Sequence, residues 1–183
     1  KLLLDELRAD AVDQTSEHDF GKNIIPKLLG EDRRLYTYKF EGFWRDVGTI
    51  SSYHETSMDL LGEHPEFDLY STDFPIMSNA TLRPPHYVGP EGSVSDCIIS
   101  NGCRIYGTVR HSILSTGAEV GPRATVEDSI LLPGAKVKAG AKVVRAILGE
   151  NSCVEEGVAL GSVDIAKDTA VIGDNVVVGK GEE

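Results

Sequence analysis

Cysteine is scarce in this chain: Cys97, Cys103 and Cys153 are all there are, an odd number with no Cys-x-x-Cys pair. That excludes a disulfide framework and offers no zinc-ligand spacing, so the three thiols are expected to be reduced and buried. Long apolar runs are also missing, none approaching the roughly 20 residues that a membrane-crossing helix requires. The first residues lack the basic, apolar and cleavage-site order of a secretory signal, and the expected location is the cytoplasm. Positive charge is short as well: 18 Lys and Arg stand against 29 Asp and Glu, for a net charge of -11. Without a basic stripe to displace counterions, a nucleic-acid partner is not expected, though a few local Lys and Arg residues suffice for a small phosphorylated metabolite. There is no initial methionine. The chain opens inside an apolar pattern, Lys1-Leu2-Leu3-Leu4, and is expected to be a piece of a longer protein.

What is present is ordinary for a globular protein, with 40% hydrophobic and 26% charged residues in a length of 183, enough for one large domain or two small ones with a real core. The second half carries a repeat. Ile98-Ile99-Ser100-Asn101-Gly102-Cys103, Ile113-Leu114-Ser115-Thr116-Gly117-Ala118, Ile130-Leu131-Leu132-Pro133-Gly134-Ala135 and Ile147-Leu148-Gly149-Glu150-Asn151-Ser152 align at spacings of 15, 17 and 17 residues. A second apolar column runs Ile105, Val120, Val137, Val154, and a third runs Val109, Val126, Val143, Leu160. Three columns per step imply three faces per coil. Small residues two positions ahead of these apolar ones, such as Cys103, Ala118 and Ala135, fit a narrow prism turning its corner. Gly102, Gly117, Gly134 and Asn151 suit the left-handed backbone such corners demand. Five or six residues per side make a short strand plus a turn, so each coil pairs with the coils above and below while the columns stack inside. Ala170, Ile172, Val176 and Val178 resume the six-residue step after an irregular stretch around Asp164 to Asp168. A β-sandwich with 17-residue hairpins would show polar and apolar alternation with two-residue turns instead.

In the first half, Leu2, Leu3, Leu4 and Leu7 read as the end of a helix. Ser16-Glu17-His18-Asp19 reads as a helix start, with Ser16 as cap, and Pro26 is expected to disturb that helix after Ile25. Leu35 to Phe40 is rich in strand formers, and Glu41-Gly42 turns it into a second strand, Phe43 to Val47. A helix is expected from about Ser52 to Leu61, with Ser52 and Glu55 as a capping box and Gly62 at its end. Asp46 then lies at a strand end just before a helix, a place that suits either a functional carboxylate or a turn residue. Residues 63–86, with Pro65, Pro75, Pro84 and Pro85, read as an extended linker.

The coil pattern resembles the left-handed parallel β-helix of hexapeptide-repeat proteins, and the handedness is implied by that resemblance. The blocks His18-Asp19-Phe20-Gly21-Lys22-Asn23-Ile24-Ile25-Pro26, Phe43-Trp44-Arg45-Asp46-Val47-Gly48-Thr49-Ile50 with Tyr53, and Met58-Asp59-Leu60-Leu61 resemble the glucose-1-phosphate adenylyltransferase family. So do the Pro75-Ile76 and Pro84-Pro85 steps that follow. The resemblance implies a mixed fold. Residues 1–62 would be the C-terminal piece of an α/β nucleotidyltransferase domain, 63–86 a linker, and 87–183 a left-handed β-helix.

The activity so implied is transfer of AMP from ATP to glucose 1-phosphate, giving ADP-glucose and pyrophosphate for glycogen or starch synthesis. Mg²⁺ is the implied cofactor, offsetting repulsion between the anionic reactants. Asp46 matches the family's metal-binding aspartate and is the catalytic and metal-binding candidate, with Trp44 and Arg45 as the substrate-binding wall beside it. Retention of Asp46 points to the catalytic subunit type. His18 reads as structural, and Lys22 either approaches a phosphate or is a solvated lysine.

No Gly-rich phosphate loop precedes Leu35, and the family's second metal-binding aspartate and sugar-phosphate lysine have no matching position, so the chain alone is expected to be inactive. The β-helix implies homo- or hetero-oligomeric assembly and a phosphorylated metabolite effector, with Arg104, Arg110, Arg123, Lys136, Lys138, Lys142 and Arg145 as candidate anion ligands. Three rival readings remain open at this point. They are a hexapeptide-repeat acyltransferase using His111, a different sugar-phosphate nucleotidyltransferase such as one making GDP-mannose, and a non-catalytic regulatory or assembly module.

Overall fold

A computed structural model of the chain describes residues 1–73, 75–76, 82–164 and 168–181. It divides into two compact units, Lys1–Gly42 and Phe43–Glu183. Residues 43–62 thus count with the second unit in packing terms. Part of the expected linker (74 and 77–81) and part of the expected irregular stretch (165–167) lie outside the described residues.

In the first unit, helix α1 spans Leu2–Asp10 and helix α2 spans Ile25–Gly30. Ahead of α2, Phe20–Ile24 forms one wide helical turn whose cap is Asp19, its carboxylate accepting the Lys22 N–H at 2.8 Å. The cap is therefore Asp19 and not Ser16, because Ser16 Oγ is already committed to the Asp10 carboxylate and the His18 N–H. Pro26 opens α2 instead of ending a helix. In the first turn of a helix the missing proline N–H has no partner to lose. Only Ile24 and Leu28 are buried in this unit.

The strands expected over Leu35–Phe40 and Phe43–Val47 do not form. A strand is stable only when its backbone groups have an edge to pair with, and none is supplied among the described residues. Leu35, Tyr36, Tyr38 and Phe40 are exposed as a result.

The second unit begins with helix α3, Ile50–Met58. Its capping box is Thr49 with Ser52, three residues earlier than the expected pair. Thr49 Oγ1 accepts the Ser52 N–H and Ser52 Oγ accepts the Thr49 N–H, both at 3.1 Å.

From Tyr87 onward the chain is a parallel β-solenoid of about four turns. One face is a six-stranded parallel sheet in which Arg104, Glu119, Lys136, Cys153 and Val177 lie in register along an outward row. A larger sheet wraps the other two faces, and its first two strands, Ser93–Ile99 and Thr108–Leu114, run unbroken around the corner between them.

All three expected interior columns are formed. Ile105, Val120, Val137 and Val154 are fully buried, as are Val109, Val126 and Val143. In the remaining column the second residue of each aligned pair, Leu114, Leu131 and Leu148, is the interior one. The register offset between successive coils is 17, 15, 17 and 17 residues. It lengthens to 24 where the chain re-enters the stack at Ala170–Ile172 and Val177–Val178. Val178 is buried there, while Val176 is exposed.

Corners explain the glycines. Gly102, Gly117 and Gly134 have φ of 77°, 75° and 72°, and Asn151 has 53°, a region that costs a side chain with a Cβ. A second corner has no glycine: Asp96, His111, Asp128 and Arg145 occupy it at φ of 52°, 41°, 47° and 49°. Just past this corner the serines stand in for missing ladder bonds. Ser112 Oγ accepts the Ser129 N–H, and Ser129 Oγ accepts the Ala146 N–H, each at 3.1 Å.

The three cysteines are free, Cys103 being fully buried and Cys97 and Cys153 partly so. Burial pushes each thiol above its ordinary value. Since the thiolate is the reactive form, all three are expected to react sluggishly with a disulfide reagent at neutral pH and Cys103 slowest, with prompt reaction on unfolding. A timed thiol titration with and without denaturant checks this.

No helix among the described residues is long and apolar enough to cross a membrane.

Candidate functional site

Asp46 sits in the irregular segment immediately before α3. Its Oδ1 accepts the Gly48 N–H at 3.1 Å, a short turn that feeds directly into the Thr49 cap. The sequence produces this locally: an Asp two residues before an N–H, followed by Gly and a capping Thr, closes a turn and opens a helix. The carboxylate is exposed. It can offer one metal ligand, which fits an ion such as Mg²⁺ that takes one or two carboxylates and completes its shell with phosphate oxygens and water. No cluster of three or more His, Cys, Asp or Glu suited to a metal occurs among the described residues.

The neighbours of Asp46 differ in how they are held. Trp44 is 71% exposed. Arg45 is engaged: its guanidinium lies 2.6 Å from the Glu66 carboxylate and 3.8 Å from that of Asp59, and 5.6 Å over the Phe43 ring. Phe43 stacks in turn on Phe67 with centroids 5.0 Å apart. Nothing in the local sequence announced the tie to Glu66, 21 residues away.

In the first unit, His18 is paired through Nδ1 with the Asp10 carboxylate at 2.9 Å, and Lys22 with Glu17. The Ser16 hydroxyl and then His18 hold the Asp10 carboxyl below the usual carboxylate range. Both His18 and Lys22 thus have local structural partners.

His111 occupies the glycine-free corner. Its Nδ1 is 2.7 Å from the Asp128 carboxylate and its Nε2 is 3.8 Å from that of Asp96. Beside it lies a cleft of about 390 Å³ whose lining includes His54, Glu55, Asp59, Asp128 and Arg145.

The basic coil residues are not gathered into one patch. Arg104 is paired with Glu119, whose other register neighbour is Lys136. Arg110 lies beside Glu127 and Lys142 beside Thr125 on the wrapped sheet, while Arg123 and Arg145 stand at corners.

Residues 85–181 match the family described as GlmU-like, C-terminal hexapeptide, and residues 1–63 match the nucleotidyl transferase family. Among curated proteins, the chain is 37% identical to a glucose-1-phosphate adenylyltransferase from Acetivibrio thermocellus, across 98% of this chain and 46% of that protein. It is 38% identical to one from Desulforamulus reducens, across 97% and 46%, and 43% identical to one from Halalkalibacterium halodurans, across 87% and 43%. The chain spans about half the length of the curated relatives it matches.

Proposed function

Because the chain belongs, through residues 85–181, to the GlmU-like, C-terminal hexapeptide family and is a relative of glucose-1-phosphate adenylyltransferases, we propose that it is the C-terminal portion of an enzyme making ADP-glucose. Residues 1–62 are then the end of the nucleotidyltransferase domain, 63–86 the linker and 87–183 the β-helix.

In the reaction a phosphate oxygen of glucose 1-phosphate attacks the α-phosphorus of ATP, and the bond to pyrophosphate breaks. Mg²⁺, when bound, offsets the charge of the reacting phosphates. Asp46 would supply a carboxylate ligand to that ion, and the turn it closes with Gly48 fixes where the carboxylate points. Trp44 and Arg45 form the adjoining wall, with Glu66 and Asp59 fixing the Arg45 fork. ADP-glucose so made serves glycogen or starch synthesis in the cytoplasm. The β-helix supports oligomeric assembly and response to a phosphorylated metabolite.

The observation that carries this reading is the match along 98% of the chain to a relative of that name. The exposed Leu35, Tyr36, Tyr38 and Phe40 support it, since an upstream half would give that segment both a sheet edge and an apolar cover.

The test is pyrophosphate exchange in the longer protein. Exchange with ATP and glucose 1-phosphate, dependent on Mg²⁺, is expected to exceed that with GTP and mannose 1-phosphate. Preference for the second pair, or acetyl-CoA-dependent acyl transfer abolished by His111→Ala, would contradict it.

A further inference from the structure

Helix α3 is docked on the β-solenoid at two points. His54 is only 5% exposed, and its Nε2 lies 2.7 Å from the backbone carbonyl oxygen of Asp128. A carbonyl can only accept, so Nε2 carries the hydrogen and the tautomer is fixed. Four residues past the helix end, the Gly62 N–H donates to Asp96 Oδ1 at 2.9 Å. Both acceptors belong to the glycine-free corner, where His111 joins Asp128 and faces Asp96. Left-handed backbone at successive non-glycine positions is unfavourable, and such strain persists where the surroundings over-determine it. Here the strained corner is the platform that receives α3.

The other end of α3 leads straight to Asp46. The Thr49–Ser52 box closes the helix, and the Asp46–Gly48 turn abuts the box. Residues 46 to 62 therefore form one hydrogen-bonded piece, fixed to the solenoid near its middle and at its far end.

We propose that His54 is a positioning residue: by pinning α3 to the solenoid corner through the Asp128 carbonyl, it sets where the Asp46 carboxylate stands. The inference rests on the role given to Asp46 above. The solenoid then does more than assemble subunits, because its corner determines the placement of a group at the reaction centre. A misplacement of about 1 Å there is enough to cost about 100-fold in rate.

The experiment compares His54→Leu, which fills the space without a donor, with His54→Gln, which restores one. In this chain, hydrogen exchange of the α3 amides is expected to speed up about tenfold in His54→Leu, the worth of one hydrogen bond. Exchange of the solenoid amides stays unchanged, and His54→Gln behaves as the wild type. In the longer protein, His54→Leu is expected to lower kcat about 10- to 100-fold. It also raises the Mg²⁺ concentration needed for half-maximal rate, with KM for glucose 1-phosphate and the melting temperature held, and His54→Gln recovers most of the rate. Unchanged α3 exchange in His54→Leu overturns the docking role. Faster α3 exchange with unchanged kcat and Mg²⁺ dependence overturns the positioning role. A wild-type longer protein that makes no ADP-glucose counts against the proposed function instead, and α3 exchange still decides the docking.

Discussion

Asp46→Asn is expected to lower ADP-glucose formation by the longer protein about 10²- to 10³-fold while leaving the melting temperature of this chain where it was. The Oδ1 of Asp46 accepts the Gly48 N–H at 3.1 Å, and an asparagine oxygen can accept the same bond, so the turn and the Thr49 cap survive. Exposure of the side chain means that no buried contact is lost. What disappears is the negative charge. A contact to a metal ion that neutralises reacting phosphates is worth several kcal/mol, and about 3–4 kcal/mol corresponds to that range of rate. Turnover at saturating substrates and a Mg²⁺ titration check the expectation. Near-wild-type turnover in Asp46→Asn would remove the residue from the metal site and leave it as a turn former.

The second large effect is on stability. Leu131→Ala is expected to destabilise the solenoid by about 3 kcal/mol, within the 2–5 kcal/mol range of such truncations. Leu131 is fully buried and stacked in register between Leu114 of the coil before and Leu148 of the coil after. Both neighbours are held by backbone ladders, so the space cannot close by collapse and the cavity remains. Because each coil is buttressed only by the adjacent ones, the loss is felt by three successive coils at once. By contrast Val177, on an outward position of the last coil and 55% exposed, is expected to lose less than about 0.5 kcal/mol on truncation to Ala. Urea unfolding of the two variants measures the difference. Equal midpoints would mean that the interior column does not carry the stability of the coil.

The solenoid was legible in the sequence because its period is long, apolar and repeated. Spacing alone assigns Ile105, Val120, Val137 and Val154 to one interior column, and Gly117 and Gly134 to corners. What was missed is the corner made of Asp96, His111, Asp128 and Arg145. A signal for it existed, since each stands two residues before an aligned apolar residue, Ile98, Ile113, Ile130 or Ile147, but a polar column on a surface looks like ordinary solvation.

The docking of His54 had no local signal at all. A bond between residues 74 positions apart depends on where the helix lands, which periodicity does not encode. Around Asp46 the sequence predicts a helix start two residues late, because Ser52 and Glu55 satisfy the same capping pattern as Thr49 and Ser52. The expected strands over 35–40 and 43–47 failed for a different reason. Propensity was read correctly from Tyr36, Tyr38 and Phe40, but a strand also needs a neighbouring edge.

The most direct measurement compares ADP-glucose formation from ATP and glucose 1-phosphate by this chain alone and by the same chain joined to its upstream half. Background from the isolated chain and Mg²⁺-dependent turnover from the joined protein is the expected result. Turnover by the isolated chain, or none from a folded joined protein, would contradict the assignment of these residues as the C-terminal portion of an ADP-glucose-forming enzyme.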